Sequence, residues 1–452
     1  MKSKRYLIRF SVTLVFLMVS GSLWAQSDST RNQLSIGLEA LAHGESCGGG
    51  LPRSTDGSLV EDKSHFLLSR TRLNVNYQHS GLEVKAVIQN KAVWGMSDNQ
   101  ALHLYEGWVK MTAKNGLFAQ VGRVELSYDD ERIIGPNDFA MAAQSHDVLR
   151  MGYEGHGHQA HVILAYNQND GSVYQNTFYK GGAQDYKSMQ TLWYHYDVPK
   201  FPLGISLLFM NYGLQAGQDN PDAWDYKTNP KRTEHQQMFG GYMNYHPEYL
   251  TLELSYYRQT GKEVYTDMYS GDIRAWMIGT KATIQPTDKY GFVLGFDYLS
   301  GDDYVPVPYG GQLGLPRHLV NKGFSPLYGS RTQFYGIMDY FYQSASINHF
   351  TPGLQNAFVG VLGNPTSRFS YSATYHYLAT ATQLQDLHRT LGHTIELSAT
   401  YHFTKDISLE VGYTQMIGTD TMDRLKQGDG SKHARWGWFS LLISPSIFTA
   451  KW

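Results

Sequence analysis

Glu154 is followed at close spacing by His156, His158 and His161, a set of carboxylate and imidazole donors of the kind that holds zinc. Ser372 and His376 stand four residues apart, so an extended strand would turn a hydroxyl and an imidazole to the same side, the starting geometry of an activated nucleophile. Neither set carries its chemistry through. Only His156 and His158 share a strand face, Gly155 to Gly157 reads as a tight turn whose histidines are solvated, and nothing around Ser372 matches a nucleophile motif. The expectation is a protein without catalytic residues, metal or cofactor. What remains is charge laid down in step. Arg70 with Arg72, and Lys85 with Lys91, are each separated by an even number of residues and so lie on one face of an extended chain.

Charges held in step need strands, and the flanking residues supply them. In 64–79, Leu67, Leu73, Val75 and Tyr77 alternate with Arg70, Arg72, Asn74, Asn76 and Gln78. In 81–95, Leu82, Val84, Ala86, Ile88 and Trp94 alternate with Glu83, Lys85, Gln89 and Lys91; in 366–380, Phe369, Tyr371, Ala373, Tyr375 and Tyr377 alternate with Ser370, Ser372, Thr374 and His376. After the N-terminus no window approaches the ~18 apolar residues of a membrane helix, and mean hydropathy is −0.39. A closed sheet with one apolar face has this signature, because lipid-facing residues alternate with polar lumenal ones. The 33 Tyr, 20 Phe and 9 Trp suit interfacial girdles better than an ordinary core. A charged face turned into a closed barrel implies a water-filled lumen.

The N-terminus carries Lys2, Lys4, Arg5 and Arg9, an apolar stretch from Phe10 to Val19 and a small-residue exit, so residues 1–25 read as a secretory signal peptide and 26–452 as one outer-membrane β-barrel. Strands are expected at 32–43, 64–79, 81–95, 100–113, 116–127, 146–154, 156–169, 187–198, 201–216, 233–246, 248–262, 270–285, 289–300, 330–343, 366–380, 391–403, 406–417 and 434–445. The fold class is all-β, a transmembrane antiparallel up-and-down barrel of about 18 strands. Short links alternate with long ones at 44–63, 128–145, 170–186, 217–232 and 301–329. Keeping that alternation requires 353–362 not to be a strand and 344–365 to be one periplasmic turn segment. The single Cys47 allows no intrachain disulfide, and the formal net charge of −2 excludes a generally basic nucleic-acid binder. The expected partners are outer-membrane lipid and the barrel-assembly machinery, with no nucleic acid.

The segment GRVELSYDDERIIGPNDFAMAAQSHDVLRMGYE, Gly122 to Glu154, resembles the most characteristic region of the alginate-export family of outer-membrane barrels. The likeness is carried by Gly122 with Arg123, the run Asp129, Asp130, Glu131 and Arg132, and Asp147. FDYLSGDD at 296–303, FSPLYGSRTQFYGIMDYFY at 324–342 and GLQNAFVG at 353–360 are similar to further stretches of that family, in matching order. The resemblance implies an eighteen-stranded channel passing an anionic oligo- or polysaccharide of the uronate type through a lumen rich in arginine, narrowed by a long loop and a periplasmic turn segment. Arg meets a carboxylate with two parallel hydrogen bonds, and a pore needs many weak sites rather than one strong one. On that reading the lumen-lining, substrate-contacting residues are Arg70, Arg72, Lys85, Lys91, Arg123, Arg132, Arg150 and Arg331, with Asp129, Asp130, Glu131 and Asp339 among them to limit the field. Arg123 reaches the lumen only if the strand is bulged near Gly122, because Val121 shares its parity. Two other readings stand beside the uronate channel: a general, weakly anion-selective porin, and a barrel enzyme or adhesin working through its long loops.

Overall fold

The computed structural model describes residues 32–49, 63–96, 101–167, 186–215, 233–266, 269–302, 320–338, 341, 351–384, 386–426 and 433–452. The signal-peptide segment therefore lies outside the described residues. Twenty strands run in chain order: β1 (Gln33–Gly48), β2 (Lys63–His79), β3 (Leu82–Val93), β4 (Ala101–Thr112), β5 (Leu117–Val124), β6 (His146–Gly155), β7 (His158–Tyr166), β8 (Ser188–Asp197), β9 (Leu203–Gln215) and β10 (Thr233–Tyr245), then β11 (Leu250–Thr266), β12 (Tyr269–Thr287), β13 (Tyr290–Leu299), β14 (Val320–Asn321), β15 (Leu354–Thr366), β16 (Phe369–Ala379), β17 (Thr390–Thr404), β18 (Ile407–Gly418), β19 (Ala434–Ile443) and β20 (Ser446–Lys451). Each stave pairs antiparallel with the next, and β1 closes the ring against both β19 and β20. These last two are halves of one stave, since Ala40 faces Ile443 while Gly37 faces Ser446 and Ile36 faces Phe448. The break falls at Pro445, which has no N–H to give; its carbonyl still accepts from Leu38 N at 3.1 Å. The two-residue β14 runs parallel to β12 beyond the end of β13 and is no stave. The result is a closed barrel of eighteen staves.

The outer surface carries the apolar half of each alternation, including Leu73, Ile88, Val121, Leu207, Phe292, Val359 and Ile395, all exposed. A membrane absorbs that exposure; water would not, because a closed sheet with an apolar outer band is stable only where hydrocarbon covers it. At one end the links are tight, as at Ser80–Gly81 and Arg368, and at the other they are long.

One pair of expectations fails. The described residues of the expected strand 330–343, which are 330–338 and 341, are not a strand: a 3₁₀ turn covers Arg331–Gln333, Tyr335 and Gly336 take φ of 64° and 98°, and Tyr335 is buried inside the barrel. The stave lies instead at Leu354–Thr366, paired with β13 and β16 over its length, so 344–365 is not a periplasmic turn segment. Gly353 sits against Gly301 and Ala381, at the end with the long links. The misreading has a physical origin. Aromatics at 334, 335 and 341 imitate a strand although they pack inward, whereas the true stave turns Gly360 to the lumen and carries Gly363 and Pro365 at a register shift. One false stave and one missed stave leave the count and the direction of every later strand unchanged.

The lumen is not empty. A core of Leu126, Ile133, Ile134, Ile163, Met189, Met210, Met238, Tyr257, Met277, Phe324 and Tyr335 fills it along β6–β13, built partly from the barrel wall and partly from chain folded in from the long-loop end. Each such side chain, fully buried, contributes about 1.5–3 kcal/mol.

Candidate functional site

After β5 the chain turns into the barrel rather than outward. Its apolar residues dictate this: Leu126, Ile133 and Ile134 are almost wholly buried and would otherwise stand in water. Between them Asp129 and Glu131 take left-handed φ of 56° and 62°, a tight reversal closed by hydrogen bonds from Glu131 N to Tyr128 O at 2.9 Å and from Tyr128 N to Ile134 O at 3.1 Å. The reversal presses its acids onto the far wall. Asp129 accepts from Trp193 Nε1 at 3.1 Å and from the Tyr257 hydroxyl at 3.4 Å, and Asp130 accepts from Ser255 Oγ at 2.9 Å. Burial raises the Asp129 pKa above the usual carboxylate range, although hydrogen bonds from Ser206 and Trp193 favour the charged form.

Arg132 is the centre of the arrangement. Its Nε meets Asp130 at 3.1 Å and its Nη1 lies 2.9 Å from Asp297 and 3.0 Å from the Tyr335 hydroxyl, while the guanidinium lies 4.2 Å from the Phe334 ring centre. Burial opposes its charge, but Asp297 and the other acids hold its pKa well above the ordinary value. A second inward segment, 322–338, is tied to the first by backbone as well: Ile134 and Tyr328 form a parallel bridge, and Ser330 N donates to Glu131 O at 2.9 Å. The Glu131 carboxylate accepts from Ser330 Oγ and Gln333 Nε2, both at 2.9 Å.

From there the first segment returns across the lumen to the opposite wall. Asp138 lies between Arg70 and Arg72, 3.0 and 2.8 Å from their Nη2 atoms, and Arg70 also meets Glu39 at 2.8 Å. Burial pushes the Asp138 carboxyl up, but the two guanidiniums outweigh it and hold its pKa below the ordinary value. Phe139 enters an aromatic box of His43, Trp436 and Trp438, with ring centres 5.1–5.8 Å away. Residues 125–145 thus span the lumen as a strap, apolar where they meet β6–β13 and charged where they meet β2.

Of the residues expected from sequence, Arg70 and Arg72 on β2 and Asp129, Asp130 and Arg132 on the strap brace segment to wall, while Glu131 ties the two inward segments to each other. Lys85 is lumenal and ion-paired with Glu106. Lys91 is on the inward face of β3 towards the long-loop end. Arg331 is exposed on the 3₁₀ turn. Asp339 lies outside the described residues. Arg123 is not lumenal: β5 keeps its register with β6 through Gly122, so Arg123 stays on the outer face, clasping Asp147 through Nε and Nη2 at 2.8 and 2.7 Å. Gly122 takes φ of 131° without shifting the ladder, so the bulge that would have turned Arg123 inward is absent there.

The histidines also fall elsewhere than expected. His161 is buried in the lumen, 3.2 Å from Glu154 and 3.0 Å from the Tyr128 hydroxyl; His158 stacks on Tyr196, and only His156 sits in the turn, bonded to Tyr153. Ser372 bonds to Ser398 at 2.7 Å and His376 to Asn356 at 2.9 Å, so the hydroxyl and imidazole do not meet. No cluster of three metal-binding side chains occurs among the described residues.

Beneath the strap, towards the tight turns, the lumen opens. A cavity of about 360 Å³ is lined by Asp130, Arg132, Glu253, Lys281, Asp297, Phe334, Phe358, Thr374, His376 and Glu396. On the wall of β4–β6 stand Lys110 and Arg150, with the Phe118 ring centre 4.5 and 5.6 Å from their charges. Lys110 faces Glu154 at 3.4 Å. Arg150 has no carboxylate at ion-pair distance among the described residues; its Nε and the Oε1 of Gln120, its neighbour across the ladder, are buried without a partner. On the opposite wall the inward residues of β16 are Ser370, Ser372, Thr374 and His376, with no Lys or Arg among them. Sequence reasoning selected Arg150 but missed Lys110, although Trp108, Lys110 and Thr112 alternate with Val109 and Met111 in the strand pattern. Asp138 and Asp297 carried no such signal, since their roles come from contacts 68 and 165 residues away.

A family model described as alginate export matches residues 83–436. The fold is shared with solved structures from Pseudomonas aeruginosa. OpdL aligns with a TM-score of 0.60 at 11% identity over 92% of this chain and 99% of that one. OccK5 (OpdH) gives 0.58 at 10% over 92% and 98%, and OccK2 (OpdF) in complex with glucuronate gives 0.57 at 9% over 94% and 100%. No curated protein matches the sequence.

Proposed function

Because the chain belongs to the alginate-export family and folds as an outer-membrane barrel, we propose that its lumen passes anionic, uronate-type saccharides by passive diffusion, with the long links extracellular and the tight turns periplasmic. The observation that carries this reading is Arg150, a half-buried lumenal guanidinium without a carboxylate partner, set beside Lys110 and across from the hydroxyl-bearing wall of β16. A sugar acid needs that pairing: a cation for its carboxylate and hydroxyls for its ring oxygens. A cation hydrogen-bonded, among the described residues, only to the Tyr128 hydroxyl at 3.4 Å, and not neutralised by a carboxylate, attracts a passing carboxylate without arresting it. OccK2 was solved with glucuronate, a single uronate unit, which is consistent with such a ligand in a barrel of this fold.

A second reading has its own support. Arg70, Arg72, Lys85 and Arg132 are all paired with acids, which weakens the field that a polyanion would sense and fits a general pore with slight anion preference. Planar-bilayer recordings separate the two. Oligouronates should interrupt single-channel current at concentrations where neutral oligosaccharides of equal length do not; equal block by both would leave only the general pore.

A further inference from the structure

The outer face of the barrel carries a groove that the lumen does not explain. It lies on the long-loop end of β19, β1 and β2, has a volume of about 730 Å³, and is walled by Leu67, Trp94, Met96 and Phe439. Its floor is Gly44, over which the Phe439 ring and the Leu67 side chain close. The strand register lays out what stands above it. In one row Phe439, Gly44 and Leu67 are opposite one another; two residues higher come Gly437, Ser46 and His65; two higher again come Arg435, Gly48 and Lys63. Arg435 and Lys63 are both exposed, both on the outward parity, and separated only by a glycine. Neither forms an ion pair among the described residues.

The height of this feature can be placed against the bilayer. On β2 the outward apolar side chains run from Tyr77 to Leu67. Ten residues at about 3.4 Å each, tilted about 40°, span roughly 26 Å, the height of the apolar band of such barrels. Leu67 therefore stands at the upper edge of the hydrocarbon, and Lys63, four residues further, about 10 Å above it in the headgroup layer. A groove that is apolar below and doubly cationic above fits a ligand that is acylated below and doubly anionic above.

We propose that this groove holds one molecule of the phosphorylated, multiply acylated glycolipid of the outer leaflet, lipid A, with one phosphate at Arg435, the other at Lys63, and an acyl chain lying over Gly44 between Phe439 and Leu67. An ordinary single-phosphate phospholipid offers one anionic group and two chains; the wide, doubly charged site discriminates against it. The test is native mass spectrometry of the full-length detergent-purified barrel, titrated with bisphosphoryl lipid A, monophosphoryl lipid A and phosphatidylglycerol. The wild type should retain one bisphosphoryl lipid A at least tenfold more tightly than either other lipid. Lys63→Ala with Arg435→Ala should abolish that preference, while Arg258→Ala, an exposed cation elsewhere on the outward face, should leave it intact. Heat-modifiable migration in SDS checks that each variant is folded, which surface charge removal should not disturb. Equal retention of bisphosphoryl lipid A by wild type and the double variant would overturn the site, as would equal retention of phosphatidylglycerol by the wild type.

Discussion

Replacing Arg132 by Ala tests whether the strap is held by its buried charges. The side chains of Arg132, Asp130 and Asp297 are 6%, 10% and 3% exposed, so the variant leaves two acids facing one another out of water. Removing one partner of a buried ion pair costs about 3–5 kcal/mol. Some of that is relieved if an acid takes up a proton, so about 3 kcal/mol is the appropriate figure, and it falls on the packing of segments 125–145 and 322–338 rather than on the barrel wall. At about 1.4 kcal/mol per factor of ten, the ratio of packed to detached strap should drop roughly a hundredfold. Two measurements read this. Trypsin cleavage after Arg331, on the exposed 3₁₀ turn, should accelerate by up to that factor when cleavage is slow relative to repacking. Single-channel current should become larger and noisier. Selectivity should hardly change, because the lost cation was already neutralised. Arg132→Met combined with Asp130→Asn and Asp297→Asn should recover much of the quiet behaviour, since removing all three charges strands none of them. Unchanged cleavage and unchanged noise in Arg132→Ala would refute the view that these charges brace the strap.

Other outcomes follow from the same geometry. Arg150→Gln should weaken oligouronate block about tenfold at unchanged open-channel conductance, a loss of roughly 1.4 kcal/mol; unchanged block would remove Arg150 from substrate contact. Glu106→Gln frees Lys85 and should shift the reversal potential in a salt gradient towards greater anion preference, whereas no shift would mean Lys85 finds another acid. Asp302, beyond the end of β13, has its pKa raised to about 6 by burial, against hydrogen bonds from Lys322 N at 2.7 Å and Thr351 N at 3.4 Å. A carboxyl raised in the folded state binds its proton more tightly there than when unfolded, so local stability should be highest below the unfolded value near 3.9 and decline as pH rises through about 6. Hydrogen exchange at Lys322 and Thr351 should accelerate over that interval, and Asp302→Asn should flatten the profile.

Much of the fold was legible because period-two alternation is enforced wherever one face meets lipid and the other water. Arg70 and Arg72 against Leu73 and Val75 leave no choice of side, and β2 lies as read. The same logic misled wherever chain left the wall. Phe334 and Tyr335 are apolar because they cover Arg132, not because they face lipid. Leu354–Thr366 was passed over because counting 330–343 as a stave left no room for another in the long–short alternation, and apolar Phe358 and Leu362 on its lumenal face blur the pattern that would have argued for it. In the candidate site, residue types were readable and partners were not. Asp129 to Arg132 announce a charged reversal, but that Asp297 would meet Arg132, and that Asp138 would meet Arg70 and Arg72, depends on a strap reaching both walls. Arg123 went wrong because the resemblance required a bulge that is not made, whereas parity alone puts it on the outer face with Val121.

The split closing stave bears on the order in which the molecule is made. β1 finds its last neighbours in β19 and β20, at the opposite extreme of the chain, so the seam forms only when every stave between them is available. Both inward segments arise between those extremes. Both enter from the long-loop mouth, and the strap ties Arg70 and Arg72 of β2, beside the seam, to Asp297 of β13 on the far wall, so the ring is held across its width as well as around its circumference.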